Sequence, residues 1–193
     1  TFMERDAIRE LVRRLAAPEV GAVCGRLVLR DPATGRNVDS MYWRYETYLK
    51  RCEGAIGGLL GANGAIYAIR RSLIVPLPPG TVVDDFVMPL MAKAASGCRI
   101  AYAPEAVAHE ETAPNIGGEF RRRARIGVGG FQALWILRSL LNPMCGWTAF
   151  TFWSHKVLRW ICPFLLITAL ACAAALAAER ATYRAVLAAQ LGF

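Results

Sequence analysis

The stretch Val82-Val83-Asp84-Asp85-Phe86-Val87-Met88-Pro89 organises the chain, because it places two adjacent carboxylates at the start of a predicted helix. Residues 86–96 form the body of that helix, and Gly97 supplies its C-terminal stop. Asp84 and Asp85 suit a helix start, since an Asp at the N-cap or in the first turn stabilises it. The same position would keep a carboxylate ionised and able to take a proton from an attacking hydroxyl group. Spacing alone favours the structural role.

Helices and strands alternate on both sides of this acidic pair. Helical periodicity predicts helices over residues 3–17 and 39–52. Short apolar runs predict strands over residues 20–29, 65–69 and 99–103. Pro104 is expected to end the last of these strands. The alternation predicts an α/β layered domain over residues 1–116.

Composition indicates that part of the chain lies in or against a membrane. The 193 residues are 55% hydrophobic and carry a net charge of +8. The mean hydropathy of +0.31 is high for a purely soluble domain. The six cysteines form no C-x-x-C pair, so neither a thiolate metal site nor a disulfide framework is predicted.

The chain changes character from Gly118 onward. Apolar side chains between Phe120 and Trp135 share roughly one helical face, which is typical of an amphipathic helix at a bilayer surface. We therefore predict amphipathic interface helices over residues 117–153. A cluster of arginines occupies another face: Arg121, Arg122, Arg123 and Arg125. These arginines could form a solvated face, bind lipid head groups, or hold a nucleotide diphosphate through bidentate contacts.

Residues 160–178 carry no charge, and as a helix they would span roughly 30 Å, about the thickness of the hydrocarbon core. We therefore predict a transmembrane helix over residues 154–178 and the start of a second one over residues 179–193. A buried core helix is the alternative. Lys156 and Arg159 precede the uncharged residues 160–178 and predict that the preceding domain is cytoplasmic. Arg180 and Arg184 at the other end, offset in part by Glu179, compete with this orientation.

Upstream of the acidic pair lies a glycine-rich turn, Gly61-Ala62-Asn63-Gly64. Its glycines could serve only to adopt positive φ, or they could let the backbone approach a substrate closely. The turn is neither a G-x-G-x-x-G nor a Walker pattern. His109 with Glu110 and Glu111 makes a poor ligand set, so no metal site is predicted within this chain.

Taken in order, five segments resemble the C-terminal half of membrane-bound family 2 glycosyltransferases, relatives of cellulose, hyaluronan and poly-N-acetylglucosamine synthases. They are GANGAIYAIRR at residues 61–71, VDD at 83–85, RIAYAPEA at 99–106, RRAR at 122–125 and WSHKVLRW at 153–160. The resemblance implies an inverting enzyme of the GT-A, Rossmann-like fold that uses nucleotide sugars. Residues 1–116 would form part of its catalytic domain, followed by the interface helices and the transmembrane helix.

The resemblance also implies roles for particular residues. Asp85 corresponds to the general base of the family, with Asp84 in support. Acceptor binding falls on the turn residues Gly61, Ala62, Asn63 and Gly64. Diphosphate or acceptor binding falls on Arg122, Arg123 and Arg125, of which Arg125 alone matches a defining residue of the family's Q-x-x-R-W segment. Ile126 stands where that segment has Trp, which favours transfer of one or a few sugars over processive synthesis.

The family's D-x-D motif, which binds the metal and the nucleotide diphosphate, is absent from the sequence. The resemblance therefore implies a divalent cation, Mg or Mn, whose ligands lie mostly outside this chain. The sequence looks like part of a longer enzyme, and we expect that this chain alone neither binds nucleotide sugar nor turns it over.

The implied partners are a nucleotide-sugar donor, a glycan or lipid-linked acceptor, and membrane lipids. The implied location is the inner (plasma) membrane, with the catalytic part in the cytoplasm and a cell-surface glycan or exopolysaccharide as the product. A non-catalytic membrane adaptor that binds anionic lipid is the alternative from another class. Nucleic-acid binding is not predicted: the charge of +8 favours it, but no recognised motif is present.

Overall fold

A computed structural model describes residues 1–31, 34, 37, 41–111 and 116–192. The chain divides into two compact units, Thr1–Trp153 and Ser154–Phe193. The first unit has the predicted α/β character. Its strands are β1 (Phe2–Met3), β2 (Val20–Arg30), β3 (Tyr67–Ile69) and β4 (Arg99–Glu111). Its helices are α1 (Ala7–Leu15), α2 (Met41–Ala55), α3 (Asp84–Ser96), α4 (Ile116–Ile136) and α5 (Trp147–Thr151).

The strands form one sheet in the order β1-β4-β2-β3. The central strands β2 and β4 are parallel, and the edge strands β1 and β3 each pair antiparallel to their neighbour. Helix α1 covers the sheet by burying Ala7 and Leu11 against Val23 and Ile66. This mixed sheet with a helix on its face is the layered architecture that the alternating sequence pattern predicts.

Pro104 does not end a strand, so the prediction that it would was wrong. Strand β4 continues to Glu111 because the chain bulges at the proline: Gly25 pairs with Ala103, whereas the next residue, Arg26, pairs with Val107. Proline has no N–H to donate to a ladder and is tolerated where pairing is interrupted. The bulge thus preserves the strand on both sides of Pro104.

The first predicted helix is shorter than expected, since Phe2 and Met3 pair with β4 as an edge strand and α1 begins at Ala7. The predicted start of α2 at residue 39 lies outside the described residues. Helix α3 ends as predicted, with Gly97 in the left-handed conformation at φ 71°.

Helix α4 buries Gly129, Gly130 and Ala133 and leaves large apolar side chains exposed, among them Phe131 and Trp135. Such an exposed apolar face agrees with the predicted position at a bilayer surface, which stays a prediction.

The second unit contains α6 (Leu158–Leu176) and α7 (Ala181–Gly192). Residues Trp147–Leu176 form a 30-residue helical stretch, with a turn of π-helix at Phe152–Val157, that is long and apolar enough to cross a membrane. Its most apolar window is only 11% buried, whereas the alternative, a core helix, would be mostly buried. By length and composition, this stretch suits a membrane.

The bulge allows a stability test at Gly25. A Cβ there would lie 2.7 Å from the Ala106 carbonyl oxygen and 2.8 Å from Ile66 Cγ1. We expect Gly25→Ala to lower the free energy of unfolding by about 1–3 kcal/mol through overpacking. The control is Gly127→Ala in α4, where nothing lies within 4 Å of a new Cβ. That change should raise stability by about 0.5–1 kcal/mol, because alanine favours a helix over glycine. Equal effects of the two substitutions in thermal unfolding would contradict the close packing described at Gly25.

Candidate active site

The two carboxylates of the acidic pair lie in different environments. Both belong to the first turn of α3, and Val83 precedes them at the N-cap, so neither Asp caps the helix. Asp84 is exposed, whereas Asp85 is half-buried. Asp85 Oδ2 accepts a hydrogen bond of 2.9 Å from the backbone N–H of Gly64. Asp85 is therefore directed across to the glycine-rich turn, and Asp84 faces solvent.

Burial raises the pKa of Asp85 above its ordinary value. The N–H of Gly64 acts in the opposite direction, and the nearby charge of Asp84 raises the pKa again. The Phe86 N–H and the Lys50 ammonium lower it by smaller amounts. The helix start was expected to hold this group ionised, but burial has the larger effect. A carboxylate with a raised pKa is a stronger base, so the environment suits proton abstraction.

The phenol of Tyr67 lies near the acidic pair. Its pKa is raised, first by burial and then by the charges of Asp84 and Asp85. A phenol that stays neutral can donate a hydrogen bond beside the carboxylates. Tyr67 stands three residues after Gly64 in the motif that carried the resemblance, but the spacing in sequence gave no reason to assign it to the site.

The glycine-rich turn packs tightly against the start of α3. Gly61 has φ +68°, and a Cβ there would lie 2.8 Å from Phe86 Cα. The N–H of Ala62 donates to the backbone carbonyl of Asp85 at 3.0 Å. At Gly64 a Cβ would lie 3.1 Å from Asp85 Oδ2. Gly61 therefore needs positive φ, as predicted, and the turn approaches the Asp85 carboxylate closely. Close approach of the turn to a substrate stays a prediction.

Asn63 points away from the carboxylate and into the protein. Its side chain is buried and donates to the backbone carbonyl of Gly25 at 2.7 Å. Its Oδ1 accepts a hydrogen bond from the Lys50 ammonium group. Asn63 thus ties the turn to β2 and to α2, and a direct role in acceptor binding stays a prediction. Lys50 was missed in the sequence because it lies in a helix with no recognised motif.

Helix α4 holds the loop that precedes the acidic pair. Gln132 Oε1 accepts the N–H of Val82 at 3.0 Å, and Gln132 Nε2 donates to the Gly80 carbonyl at 3.1 Å. The glycine at position 129 permits close packing, because a Cβ there would lie 2.9 Å from Val83 Cγ1. No sequence signal pointed to Gln132, since its partners lie about fifty residues earlier in the chain.

Two arginines of the α4 cluster form ion pairs within the helix, and two lie on the face toward the acidic pair. Arg122 and Arg123 both pair with Glu119, at 3.1 Å and 2.7 Å, and these two pairs lower the pKa of Glu119. Helical spacing places Arg122 and Arg125 on the face that carries Gly129 and Gln132, which is the face toward the acidic pair. Among the described residues no hydrogen bond joins these arginines to Asp84 or Asp85.

His109 lies in β4 between Arg30 and Glu4, with a 3.0 Å contact between Nε2 and Glu4 Oε1. Within the described ranges no group of three His, Cys, Asp or Glu side chains could hold a metal ion. His109 and its neighbours in β4 therefore do not form a complete cation site.

A family model described as glycosyl transferase family group 2 matches residues 1–180. Because the match covers most of the chain, this chain belongs to that family of glycosyltransferases. A curated relative, an N-acetylglucosaminyltransferase of Azorhizobium caulinodans, is 27% identical over 140 residues, which are 65% of this chain and 35% of the relative. The chain thus spans about a third of that relative's length. The resemblance found in the sequence is confirmed, and the roles of individual site residues stay predictions.

The contact between the turn and α3 can be tested at Gly61. Both Gly61 and Gly80 have positive φ, but only Gly61 lacks room for a Cβ. Alanine at either position should cost about 1–2 kcal/mol for the left-handed backbone. We expect Gly61→Ala to cost a further 1–3 kcal/mol or so, because its Cβ would clash with Phe86. Thermal unfolding of the two variants measures the difference, and equal losses would show that the turn does not pack on α3 as described.

Proposed function

We propose that this chain carries the acceptor half of a glycosyltransferase active site, with Asp85 as the general base. The observation that carries the proposal is the half-buried Asp85 carboxylate, which has a raised pKa and is held by the Gly64 N–H. A base must be positioned, partly desolvated and deprotonated, and Asp85 meets the first two requirements through its environment. Asp84 is exposed and acts on Asp85 through its charge.

In the proposed reaction an acceptor hydroxyl oxygen attacks the anomeric carbon of a nucleotide-activated sugar. The new C–O bond forms as the bond from that carbon to the diphosphate oxygen breaks, and Asp85 receives the hydroxyl proton. A single displacement of this kind inverts the anomeric configuration. The curated relative is named for N-acetylglucosamine transfer, so UDP-N-acetylglucosamine is the first donor to test. The proposed acceptor is a glycan or a lipid-linked sugar.

The arginine face of α4 supports a binding role beside this base. Arg125 lies one turn before Gly129, which packs on Val83, so its long side chain can reach ligands near the acidic pair. Arg122 shares that face but is also paired with Glu119. We assign both to the diphosphate or the acceptor, with Arg123 further round the helix.

A divalent cation, Mg or Mn, belongs to the proposal for the intact enzyme, where it would neutralise charge on the leaving diphosphate. The described residues offer no three-ligand group, so its ligands are assigned mostly outside this chain. The apolar stretch Trp147–Leu176 supports attachment to a membrane. The proposal places the protein in the inner membrane, with the catalytic part on the cytoplasmic side and a cell-surface glycan as product.

Replacing the base gives the decisive test. We expect Asp85→Asn in the full-length protein to lower kcat by about 10²–10⁴-fold while donor binding is retained. The fold should persist, because the amide still offers an oxygen to the Gly64 N–H and carries no charge to bury. Asp84→Asn is the matched control and should cost far less. Sugar transfer from UDP-N-acetylglucosamine, measured with radiolabelled donor, reports both. Full turnover by Asp85→Asn would refute the base and favour the adaptor function.

The pH dependence follows from the pKa shift. The base works only when it is deprotonated, so kcat/KM should fall as the pH drops through the pKa of Asp85, which lies above its ordinary 3.8. Asp84→Asn removes a like charge that raises this pKa, so the acidic limb should move to lower pH. Profiles of kcat/KM for the unaltered protein and for Asp84→Asn, measured over about pH 4–8, show the direction in which the acidic limb moves. If the acidic limb of the kcat/KM profile stays in place or moves to higher pH, the charge of Asp84 does not raise the pKa of Asp85.

A further inference from the structure

A second cluster of arginines lies apart from the α4 cluster, on the flank of α2. Arg26 of β2 and Arg44 and Arg51 of α2 line an open pocket of about 150 Å³, together with Thr47 and Tyr48. One face of α2 carries Arg44, Thr47, Tyr48 and Arg51 at helical spacing, and the fold brings Arg26 of β2 beside them.

The guanidinium groups of this pocket have no hydrogen-bonding or ion-pair partner among the described residues. Across the described residues, none of Arg26, Arg44 and Arg51 donates a hydrogen bond or forms an ion pair. Exposed arginines elsewhere in the first unit do find carboxylates, as Arg9 does with Asp6 and Arg13 with Glu10. Since no carboxylate of the described residues forms an ion pair with them, these three like charges repel one another, and an anionic ligand would relieve that repulsion.

The acidic residues of α2 cannot serve as that counter-charge. Glu46 and Glu53 are both buried. Each lies two residues after an arginine of the pocket, which is roughly 200° around the helix. The acids thus face the protein and the arginines face the open pocket. Tyr48 and Thr47 also line the pocket, where the Thr47 hydroxyl already donates to the Trp43 carbonyl at 2.9 Å.

We infer that this pocket, lined by Arg26, Arg44 and Arg51, binds a diphosphate group. Arginine is suited to phosphate because its planar fork makes two parallel hydrogen bonds. Arg44 and Arg51 stand two helical turns apart, about 10 Å along the axis, which suits an extended anion better than a single small ion. A diphosphate diester also balances most of the positive charge of the pocket.

The pocket adjoins the candidate active site. Thr47 lines both this pocket and a neighbouring one, which is also lined by Lys50 and Asn63. Asn63 belongs to the glycine-rich turn, and its neighbour Gly64 holds Asp85. The diphosphate could therefore belong to a nucleotide or to a lipid-linked sugar, since both carry this group. The inference does not depend on Asp85 acting as a base.

The test measures binding of inorganic pyrophosphate to the 193-residue chain in lipid nanodiscs by calorimetry at low salt. The double variant Arg44→Gln/Arg51→Gln should bind about tenfold more weakly or worse, because it loses charge-assisted hydrogen bonds. The control Arg9→Gln/Arg13→Gln removes the same charge from α1 and should bind as the unaltered chain does. Absence of saturable binding, or equal weakening in both variants, would overturn the inference.

Two further experiments identify which kind of molecule carries the diphosphate and separate this inference from the proposed function. Competition by UDP supports a nucleotide ligand, competition by farnesyl diphosphate in phosphatidylcholine vesicles supports a lipid-linked one, and competition by neither contradicts the site. Asp85→Asn should bind pyrophosphate normally, and loss of binding would show that the two sites are one. Turnover by Asp85→Asn would refute the base while leaving the pyrophosphate result intact.

Discussion

The hydrogen bond from the Gly64 N–H to Asp85 Oδ2 is the contact on which the candidate site depends. It joins a turn to the first turn of α3 across twenty-one residues of chain. A carboxylate removed from water needs donors, and the turn supplies one from its backbone. The turn can bring this donor to the carboxylate only because it has glycine at two positions. A side chain at Gly61 would meet Phe86, and one at Gly64 would crowd the carboxylate. The glycines are thus a condition for burying the acid.

The same contact explains how two adjacent aspartates come to differ. Asp84 remains in water, while Asp85 is partly buried and has its pKa raised by that burial and by its neighbour's charge. Donors from Gly64 and Phe86 moderate the shift, so the carboxylate is made more basic without being left unpaired. Environments that separate two titratable groups are how acid and base roles are assigned in active sites. Position in the helix alone would have left the two equivalent.

Local patterns predicted the elements of this fold well, and contacts distant in sequence much less well. Periodicity located α3, and Gly97 marked its end, because both depend on neighbouring residues. The bulge at Pro104 was missed, since only pairing with Gly25 and Arg26 shows that β4 continues. The same holds around the acidic pair. The turn and the two aspartates could be found in the sequence because each is a short local motif. Lys50 and Gln132 could not, because their hydrogen-bond partners lie elsewhere in the chain.

The two groups of arginine show why density of charge in a sequence is a poor guide to ligand binding. The run in α4 is conspicuous, yet Arg122 and Arg123 are already paired with Glu119 one turn away. Helical spacing makes such pairing common, so a charged run often satisfies itself. Arg44 and Arg51 stand two turns apart on one face of α2, and only the fold brings Arg26 of β2 beside them. Charge that the fold gathers from separate elements, and that forms no ion pair with any acid of the described residues, is the stronger indication of an anionic ligand.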